Sequence, residues 1–511
     1  MRRSDTLAAE LSRPVAGSLR KSATRGVAWT TAQSLVTRLS GVVVFLVLAR
    51  LLAPAEFGLL AAAQVFIALA TTFAEAGLTR TLVQRPVLRA AHLDSALLLS
   101  VGSGVLLAGA LALGAPWIAK LYDMPELVQV LAVLALVPLL NAVSSVPESI
   151  LRRQLRFRAI ALRSSLSVVL GGVIGVVLAA SGAGVWALVA QACSQALVAT
   201  IVLWATVGWR PSARRDRAAF RELLGFGSHV LGISFLNFVN RRSGELLIGV
   251  VLGPVALGLY AVAQRVLHLL LDLLVSNVQR VALPVFSRVA DQPTRLAAAY
   301  LRATETTTLA AFPAFALMSL LGQELVPAIF GAQWASAGPL MSVLAAAGAV
   351  QSIAFFNNSM MLATGHSWLA LRWTAVNAIA NLAVCAVTVQ FGIMAVAIGF
   401  TARAWLLLPV GLYLVRRVSI VTVGQQARTL LVPFIGCIAM ASVVVTARLI
   451  WEHDIQSVGF LCTAGGVALA VYVGTISVLR PAIPSQAISL LRRRHLPPRG
   501  ISKPQPRPPA S

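Results

Sequence analysis

Leu52 to Gln64 reads LAPAEFGLLAAAQ, and 200 residues later Leu252 to Gln264 reads LGPVALGLYAVAQ. Seven of the thirteen aligned positions are identical, among them Pro54, Gly58 and Gln64 with their partners. Apolar composition alone explains shared Leu and Ala residues, but it does not explain a shared proline, glycine and glutamine at fixed spacing. The chain therefore contains two related halves, a pattern typical of transporters built from two similar helical bundles.

The composition is that of a membrane protein with many spans. Of the 511 residues, 58% are apolar and only 12% are charged, and the mean hydropathy is +0.83. Soluble proteins carry about 25% charged residues. The formal net charge of +25 would suit nucleic-acid binding, but the arginines stand between apolar runs rather than along one soluble face. We therefore predict no nucleic-acid partner.

Cysteine and histidine spacing gives no sign of a disulfide framework or a metal site. The four cysteines fall inside apolar segments without CxxC spacing, and the six histidines form no HExxH motif. Residues 1–25 are basic but lack an apolar core, so we do not expect a cleaved signal peptide there. No metal and no cofactor are predicted.

Apolar runs of about 20 residues, long enough to cross a bilayer as a helix, recur along the chain. The predicted helices cover 27–49, 56–77, 94–115, 126–146, 160–180, 184–207, 226–251, 255–277, 303–325, 338–361, 369–390, 394–415, 429–450 and 457–479. We predict an all-α polytopic membrane protein with about fourteen transmembrane helices in two six-helix bundles plus a C-terminal helix pair. Because six spans separate the two copies of the repeat, the bundles are parallel repeats.

These spans divide the chain into six parts. We predict a basic cytoplasmic arm at 1–25, a first bundle at 26–208, a basic cytoplasmic linker at 209–225, a second bundle at 226–416, a helix pair at 417–480 and a disordered Pro/Arg-rich cytoplasmic tail at 481–511. With both termini inside, 34 of the 42 Lys and Arg residues fall on the inner side. Basic residues favour the cytoplasmic side, so we predict that both termini are cytoplasmic.

The second bundle opens with a helical hairpin, Ser234 to Asp272, folded at Gly253-Pro254. Arg241 lies thirteen residues before Pro254 and Arg265 lies eleven after it. In antiparallel helices rising about 1.5 Å per residue, the two arginines are at similar depth. A charge at that depth costs about 2.5–3.5 kcal/mol on insertion scales. A cationic, water-filled cavity would offset this cost.

Four segments resemble one family of exporters. They are ARLLAPAEFGLLAAAQVFIALATTFAEAGLTRTLVQR (49–85), LGPVALGLYAVAQRV (252–266), IFGAQWASAGPLMSVLA (329–345) and ATGHSWLALR (363–372). They are similar to the signatures of bacterial polysaccharide exporters of the Wzx type, within the multidrug/oligosaccharidyl-lipid/polysaccharide superfamily. The resemblance implies a V-shaped fold of two bundles. It also implies transport of a polyprenyl-pyrophosphate-linked oligosaccharide between leaflets by alternating access.

A pyrophosphate that crosses hydrocarbon needs opposite charge along its path. Arginine suits this task because it stays protonated and its planar fork binds phosphate oxygens in pairs. The predicted pyrophosphate contacts are Arg38, Arg241 and Arg265, with Arg242 and His268 as auxiliary groups, and the predicted headgroup or sugar contacts are Asn237, Asn240 and Gln264. In the structural alternative, Arg241 pairs with Glu245, Arg265 pairs with Asp272 or its neighbours, and these pairs only hold the helices together.

Some polar groups in the spans have a role that the sequence leaves open. Glu245 and Asp272 could carry a proton or sodium ion that couples transport to the membrane gradient, or they could be counter-ions of the arginines. Asn377 and Asn381 are spaced to line a channel or to join helices. Arg403 lies within a span without an assigned role.

Competing functions remain at this point. A lipid II flippase fits the same fold, as does a multidrug antiporter, although an excess of arginine over carboxylate disfavours organic cations. A membrane glycan polymerase or ligase would need more ionisable groups in its outer loops than these short loops offer. We predict a transporter rather than an enzyme. We expect a monomer in the bacterial inner membrane, in contact with lipids and with the polysaccharide synthesis machinery.

Overall fold

The computed structural model describes residues 19–75, 90–211, 217–451 and 458–481, and within these ranges every regular element is a helix. The helices are α1 (Leu19–Leu51), α2 (Pro54–Glu75), α3 (Ala90–Tyr122), α4 (Leu127–Leu134), α5 (Leu136–Arg153), α6 (Phe157–Ala180), α7 (Val185–Val207), α8 (Arg217–Leu274), α9 (Ser276–Arg288), α10 (Pro293–Phe330), α11 (Ala337–Ala363), α12 (Ser367–Thr388), α13 (Ile393–Val418), α14 (Val423–Ile450) and α15 (Val458–Leu479), with 3-10 turns at Ala332–Trp334 and Val389–Phe391. Most of the predicted N-terminal arm, part of the linker and nearly all of the predicted tail lie outside the described residues.

The predicted multi-span, all-helical fold is confirmed. Twelve of the described segments are long and apolar enough to cross a membrane, and one of them, Ser234–Leu274, contains both helices of the predicted hairpin. The two arms of α8 are separated at Gly253, whose φ of 81° suits glycine. Pro254 then opens the second arm, at a position where a helix leaves the N–H without a partner.

One helix was not predicted. The segment 279–302, expected as an inner loop, contains most of α9 and the first turns of α10. On α9, Ala282 and Phe286 are buried in a cluster shared with α10 and α11, whereas Val281 and Val285 are exposed. Because α9 has only thirteen residues, it cannot span a bilayer, and a search for apolar runs of about 20 residues does not find it.

The helices form two bundles and a pair. Helices α1 to α7 form one set and α8 to α13 a second, and the most extensive packing of any helix pair in the described residues joins α2 of the first set to α8 of the second. Helices α14 and α15 pack against α10 through an apolar cluster that includes Leu321, Met440 and Phe460. The helix pair therefore attaches to the second bundle.

The two copies of the sequence repeat lie against each other. A Cβ on Gly58 would overlap the carbonyl oxygen of Pro254, and a Cβ on Gly258 would overlap the carbonyl oxygen of Pro54. Each copy thus places its glycine against the proline of the other, and a pseudo-twofold axis passes between them. Backbones approach this closely only where side chains are small. We call the end of the molecule that carries Pro54 and Pro254 the turn end.

Hydrogen bonds between the bundles close the turn end. Trp334 Nε1 donates to the Ala49 carbonyl at 2.6 Å, and Gln333 Nε2 lies 2.9–3.2 Å from three carbonyl oxygens at the end of α1. In the reverse direction, Arg50 donates from Nε and Nη2 to two carbonyl oxygens near the end of α10, at 2.7 and 2.9 Å. The last carbonyls of a helix lack partners in their own helix. Each bundle therefore satisfies a helix end of the other.

An aromatic cluster lies just inside these hydrogen bonds. The Phe45 ring is 6.1 Å from that of Phe57 and 5.7 Å from that of Phe330, and the Phe57 ring is 5.3 Å from that of Trp334, all edge to face. Phe45 and Phe57 belong to the first bundle, and Phe330 and Trp334 to the second. The cluster therefore joins the bundles with apolar surface.

An ion pair at a buried carboxylate fixes α14 to α10, and its loss should lower stability. Arg448 Nη2 lies 2.7 Å from Glu324 Oε1, and the Glu324 side chain is only 5% exposed. Breaking a buried pair by removing one partner costs about 3–5 kcal/mol, and the partial exposure of Arg448 reduces this to roughly 2 kcal/mol. We expect Glu324→Gln to lower the midpoint of thermal unfolding in detergent.

The matched control is Glu305→Gln. Glu305 lies 3.3 Å from Arg480, and both of these side chains are more exposed than Glu324. Exposed pairs contribute less than about 1 kcal/mol. Equal effects of the two substitutions would contradict a special role for the Glu324 pair.

Candidate functional site

A cavity of about 300 Å³ lies between the two bundles. Phe45 and Phe57 of the aromatic cluster belong to its wall, so the cavity begins directly beneath the closed turn end. Its polar lining consists of Gln64, Gln191 and Gln195 from the first bundle and of Arg242, Glu245, Gln264, Arg265 and His268 from α8. The remaining lining residues are apolar. The cavity is therefore a polar site in otherwise apolar surroundings, a common form of ligand site.

Arg265 is the main cation of the cavity. Its guanidinium carbon lies 4.6 Å from the centre of the Phe45 ring, a cation–π distance, and its side chain is exposed. No carboxylate of the described residues is within ion-pair distance of it. The predicted alternative pairing of Arg265 with Asp272 is therefore not formed. Arg265 keeps its charge and its hydrogen-bond donors available to a ligand.

Arg242 and Glu245 neutralise each other. They form an ion pair one turn apart on the first arm of α8, and both line the cavity. In the structural alternative, Glu245 was expected to pair with Arg241. Consecutive residues on a helix are turned by about 100°, so Arg241 and Arg242 cannot both face the same groove. Arg241 is exposed and lies outside the lining.

His268 and Gln264 lie one turn apart on the second arm of α8, on the cavity side. His268 is exposed and lies close enough to Arg241, Arg242 and Asp272 to interact with their charges. Gln264 is largely buried, and its Nε2 donates to the Tyr260 hydroxyl at 2.8 Å. That hydrogen bond fixes the amide plane and leaves its carbonyl oxygen for a ligand.

Several predicted site residues do not line the cavity. They are Arg38, Arg241, Asn237, Asn240 and Asp272. Arg38 Nη1 donates to the Asp272 carbonyl at 3.1 Å, so it satisfies one of the last carbonyls of α8. The Asn240 carbonyl accepts a hydrogen bond from Asn381. For Arg38, the observed contact is a structural one between the bundles.

The first bundle contributes three glutamines that sequence reasoning missed. Gln64 is the repeat partner of Gln264, so the repeat itself could have indicated Gln64 as a site residue. Gln191 and Gln195 lie one turn apart on α7. Two amides on the same face of an apolar helix could likewise have indicated a polar lining. Pairs of amides can hydrogen-bond phosphate or sugar hydroxyl groups.

Taken together, the cavity presents one uncompensated guanidinium, a neutralised ion pair, a histidine and four amides. Such a set has the chemistry to bind an anion with attached hydroxyl groups, because cations attract the anion and amides both donate to and accept from hydroxyls. The described residues contain no group of three or more His, Cys, Asp or Glu that could hold a metal ion.

The fold and the cavity define a transporter-like membrane protein of two helical bundles. A solved structure titled as a lipid II flippase in an inward closed conformation superposes with a TM-score of 0.71, covers 88% of this chain and 98% of its own, and is 13% identical. At that identity, the likeness concerns the fold alone.

The family follows from the sequence. The profile of the family described as polysaccharide biosynthesis protein matches residues 47–339, more than half of the chain, and the chain belongs to that family. The chain is 30% identical over 325 residues to the succinoglycan biosynthesis transport protein of Rhizobium meliloti (strain 1021), covering 64% of this chain and 66% of that one. It is 24% identical to the teichuronic acid biosynthesis protein of Bacillus subtilis (strain 168), covering 94% and 99%.

Proposed function

We propose that this protein moves a polyprenyl-pyrophosphate-linked oligosaccharide, the repeat unit of a polysaccharide, from the inner to the outer leaflet of the bacterial inner membrane. The observation that carries this proposal is Arg265, a cation without a carboxylate partner in the described residues, inside a cavity between two bundles. Eleven residues after Pro254, it lies roughly 16 Å along its helix, near the middle of a bilayer. A pyrophosphate supplies the missing negative charge.

The pyrophosphate binds Arg265, with His268 and the Arg242–Glu245 pair beside it. Arginine offers paired donors to phosphate oxygens, and the glutamines of the first bundle hydrogen-bond the first sugar. The polyprenyl chain remains in the surrounding lipid. Membership in a polysaccharide biosynthesis family supports a glycan as the cargo, and the positive charge of the cavity disfavours organic cations as in a drug antiporter.

Transport proceeds by alternating access, with both termini cytoplasmic and the turn end outside. The basic residues on the opposite side support this orientation. Pyrophosphate that binds Arg265 competes with its contact to Phe45, which packs on Phe330 of the second bundle. Ligand binding therefore loosens the cluster that holds the turn end shut. We propose that the protein acts as a monomer without a cofactor. We also propose that Asp272 or Glu245 couples transport to a proton or sodium gradient.

The function is tested by measuring which leaflet holds the lipid-linked oligosaccharide in cells depleted of this protein. We expect accumulation on the inner face and rescue by the wild-type chain. Delivery to the outer face in depleted cells, with no second flippase present, would contradict the proposal. Accumulation of lipid II instead of the polysaccharide precursor would replace it with a lipid II flippase.

Weakening the turn-end hydrogen bonds should favour the open turn end. Gln333→Ala removes the donor that faces three helix-end carbonyls. Since a net hydrogen bond contributes about 1 kcal/mol, the closed state should lose roughly fivefold in population relative to the open one. We expect faster labelling of a cysteine placed at Phe57 by a membrane-impermeant thiol reagent added from outside.

The control is Gln323→Ala, a nearby exposed glutamine without a side-chain hydrogen bond in the described part of the chain. It should leave the labelling rate at the wild-type value. If Gln333→Ala also leaves it there, the hydrogen bonds do not hold the turn end closed.

A further inference from the structure

A band of polar groups crosses three helices of the second bundle and is separate from the lining described above. Asn381 Nδ2 donates to the Asn240 carbonyl and to Ser243 Oγ, both at 3.1 Å, which joins α12 to the first arm of α8. One turn before Asn381, the Asn377 carbonyl accepts from Arg403 Nη1 at 3.1 Å, which joins α12 to α13. We call these five residues the second-bundle polar band.

Arg403 is the only charged member of this band, and its charge is not neutralised. It is the eleventh residue of α13, so it lies roughly 16 Å from the helix start, near the middle of a bilayer. No carboxylate of the described residues pairs with it. Its Nε is buried without a hydrogen-bond partner. An intramembrane cation is costly, and this one is incompletely satisfied, which points to a ligand.

The internal repeat pairs Arg403 with a residue of the cavity wall, although Arg403 itself is not part of the lining. The N-terminal caps of α7 and α13 are Gly184 and Gly392, both with positive φ. Counted from these caps, Gln195 and Arg403 are each eleven residues along. Gln195 lines the cavity from the first bundle. Through the pseudo-twofold axis, Arg403 occupies the corresponding place in the second bundle.

An electrostatic interaction also relates Arg403 to the cavity. Arg403 lies close enough to Tyr260 for the two groups to interact electrostatically. The Tyr260 hydroxyl holds the amide of Gln264, which lines the cavity. Arg403 is thus linked electrostatically, through Tyr260, to a residue of the present lining. A modest rearrangement of the second bundle would bring it into contact with a bound molecule.

The chemistry of the band identifies the part of the ligand that it fits. Amides and a hydroxyl match sugar hydroxyl groups, and a guanidinium matches a carboxylate through paired hydrogen bonds. The pyrophosphate is assigned to the cavity beside Arg265, whereas Arg403 lies on α13 among groups that suit a sugar, so the anion that fits Arg403 is an acid carried by the sugar. We propose that the second-bundle polar band is a glycan subsite in which Arg403 binds the carboxylate of an acidic sugar unit. This inference rests on the proposed function and adds the substrate class.

The test measures binding to the purified full-length protein in lipid nanodiscs with three ligands. They are the lipid-linked oligosaccharide extracted from cells that lack the protein, the same material with its carboxylates reduced to alcohols, and polyprenyl pyrophosphate without sugar. The variant is Arg403→Gln, which copies the residue of the first bundle. The control is Arg372→Gln, an exposed arginine that contacts Trp368 outside the cavity.

We expect Arg403→Gln to weaken binding of the native oligosaccharide 10- to 100-fold and to change binding of the other two ligands less than twofold. Equal weakening for native and carboxyl-reduced material would assign Arg403 a merely structural role, and unchanged binding of the native material would exclude the contact. Either result overturns the inference.

Two further readouts keep the test decisive. If Arg403→Gln does not fold, the wild-type protein alone suffices, because it should bind the carboxyl-reduced oligosaccharide at least tenfold more weakly than the native one, and equal affinities overturn the inference. Failure of the proposed function looks different, since the wild-type protein would then not bind polyprenyl pyrophosphate at all.

Discussion

Arg265→Ala should abolish transport while the protein still inserts and folds. The substitution removes the one cavity cation that has no carboxylate partner in the described residues, and the pyrophosphate would then enter a site whose other arginine is neutralised by Glu245. Loss of one partner of a desolvated charge pair costs about 2–5 kcal/mol, so transport should fall roughly 30-fold or more. The measurement is leaflet accessibility of lipid-linked oligosaccharide in proteoliposomes.

Two companions sharpen this test. Arg265→Lys keeps the charge but loses the planar fork, and it should retain an intermediate rate. Arg372→Ala is the matched control, because Arg372 also lies over an aromatic ring, at 5.0 Å from that of Trp368, and is exposed outside the cavity. Wild-type transport by Arg265→Ala would remove the pyrophosphate site from this cavity.

Gly58→Ala should shift the protein away from the closed turn end. The added Cβ would overlap the carbonyl oxygen of Pro254, which is backbone and cannot move aside as a flexible side chain can. Overpacking of this kind costs about 1–3 kcal/mol, which changes the ratio of closed to open states roughly 30-fold at the middle of that range. Because the contact is reciprocal, Gly258→Ala should produce a shift of similar size.

The shift can be followed as a distance between spin labels at Ser181 and Phe391, one exposed residue on each bundle. Wild type should show mainly the short distance and Gly58→Ala mainly the long one. The control is Gly109→Ala, since Gly109 lies within α3 with no atom near its missing Cβ. Alanine there should leave the distances unchanged and favour the helix slightly. An unaltered distribution in Gly58→Ala would show that the glycine contact does not set the closed state.

Much of the fold was predictable because the thickness of a bilayer sets the length of the apolar segments that cross it. Apolar runs of about 20 residues mark nearly every long helix, and the repeat gave the relation between the halves. The hydrogen bonds from Gln333 and Trp334 to the end of α1 were not predictable, since they join residues more than 280 apart in sequence. Helix α9 was not predicted for a different reason. It is too short to span a bilayer and lies along a bundle, so only its amphipathic pattern could have indicated it.

The site was predictable in its residues more than in its geometry. The sequence pointed to Arg265, Gln264 and His268, which do line the cavity. It could not choose between Arg241 and Arg242, because the rotation of the helix is set by packing rather than by residue spacing. Arg38 was predicted to contact the pyrophosphate because it is an arginine within a predicted span, but that does not say which way its side chain points, and it reaches the end of α8.

The backbone-to-backbone contact at the turn end has an electrical consequence. Arg265 is exposed in the cavity, whereas Gly58 packed on Pro254 leaves no room for water. We therefore expect a transmembrane voltage to fall mainly across this thin seal. In the proposed orientation the unloaded cavity is at the potential of the cytoplasm. When the seal opens and the other end closes, the cavity takes the potential of the outside, so the charge of Arg265 crosses the voltage although the side chain moves little. Each elementary charge is worth about 2.3 kcal/mol per 100 mV. If the proposed orientation and movement hold, a negative interior keeps the empty protein facing inward and releases it once an anion has neutralised that charge.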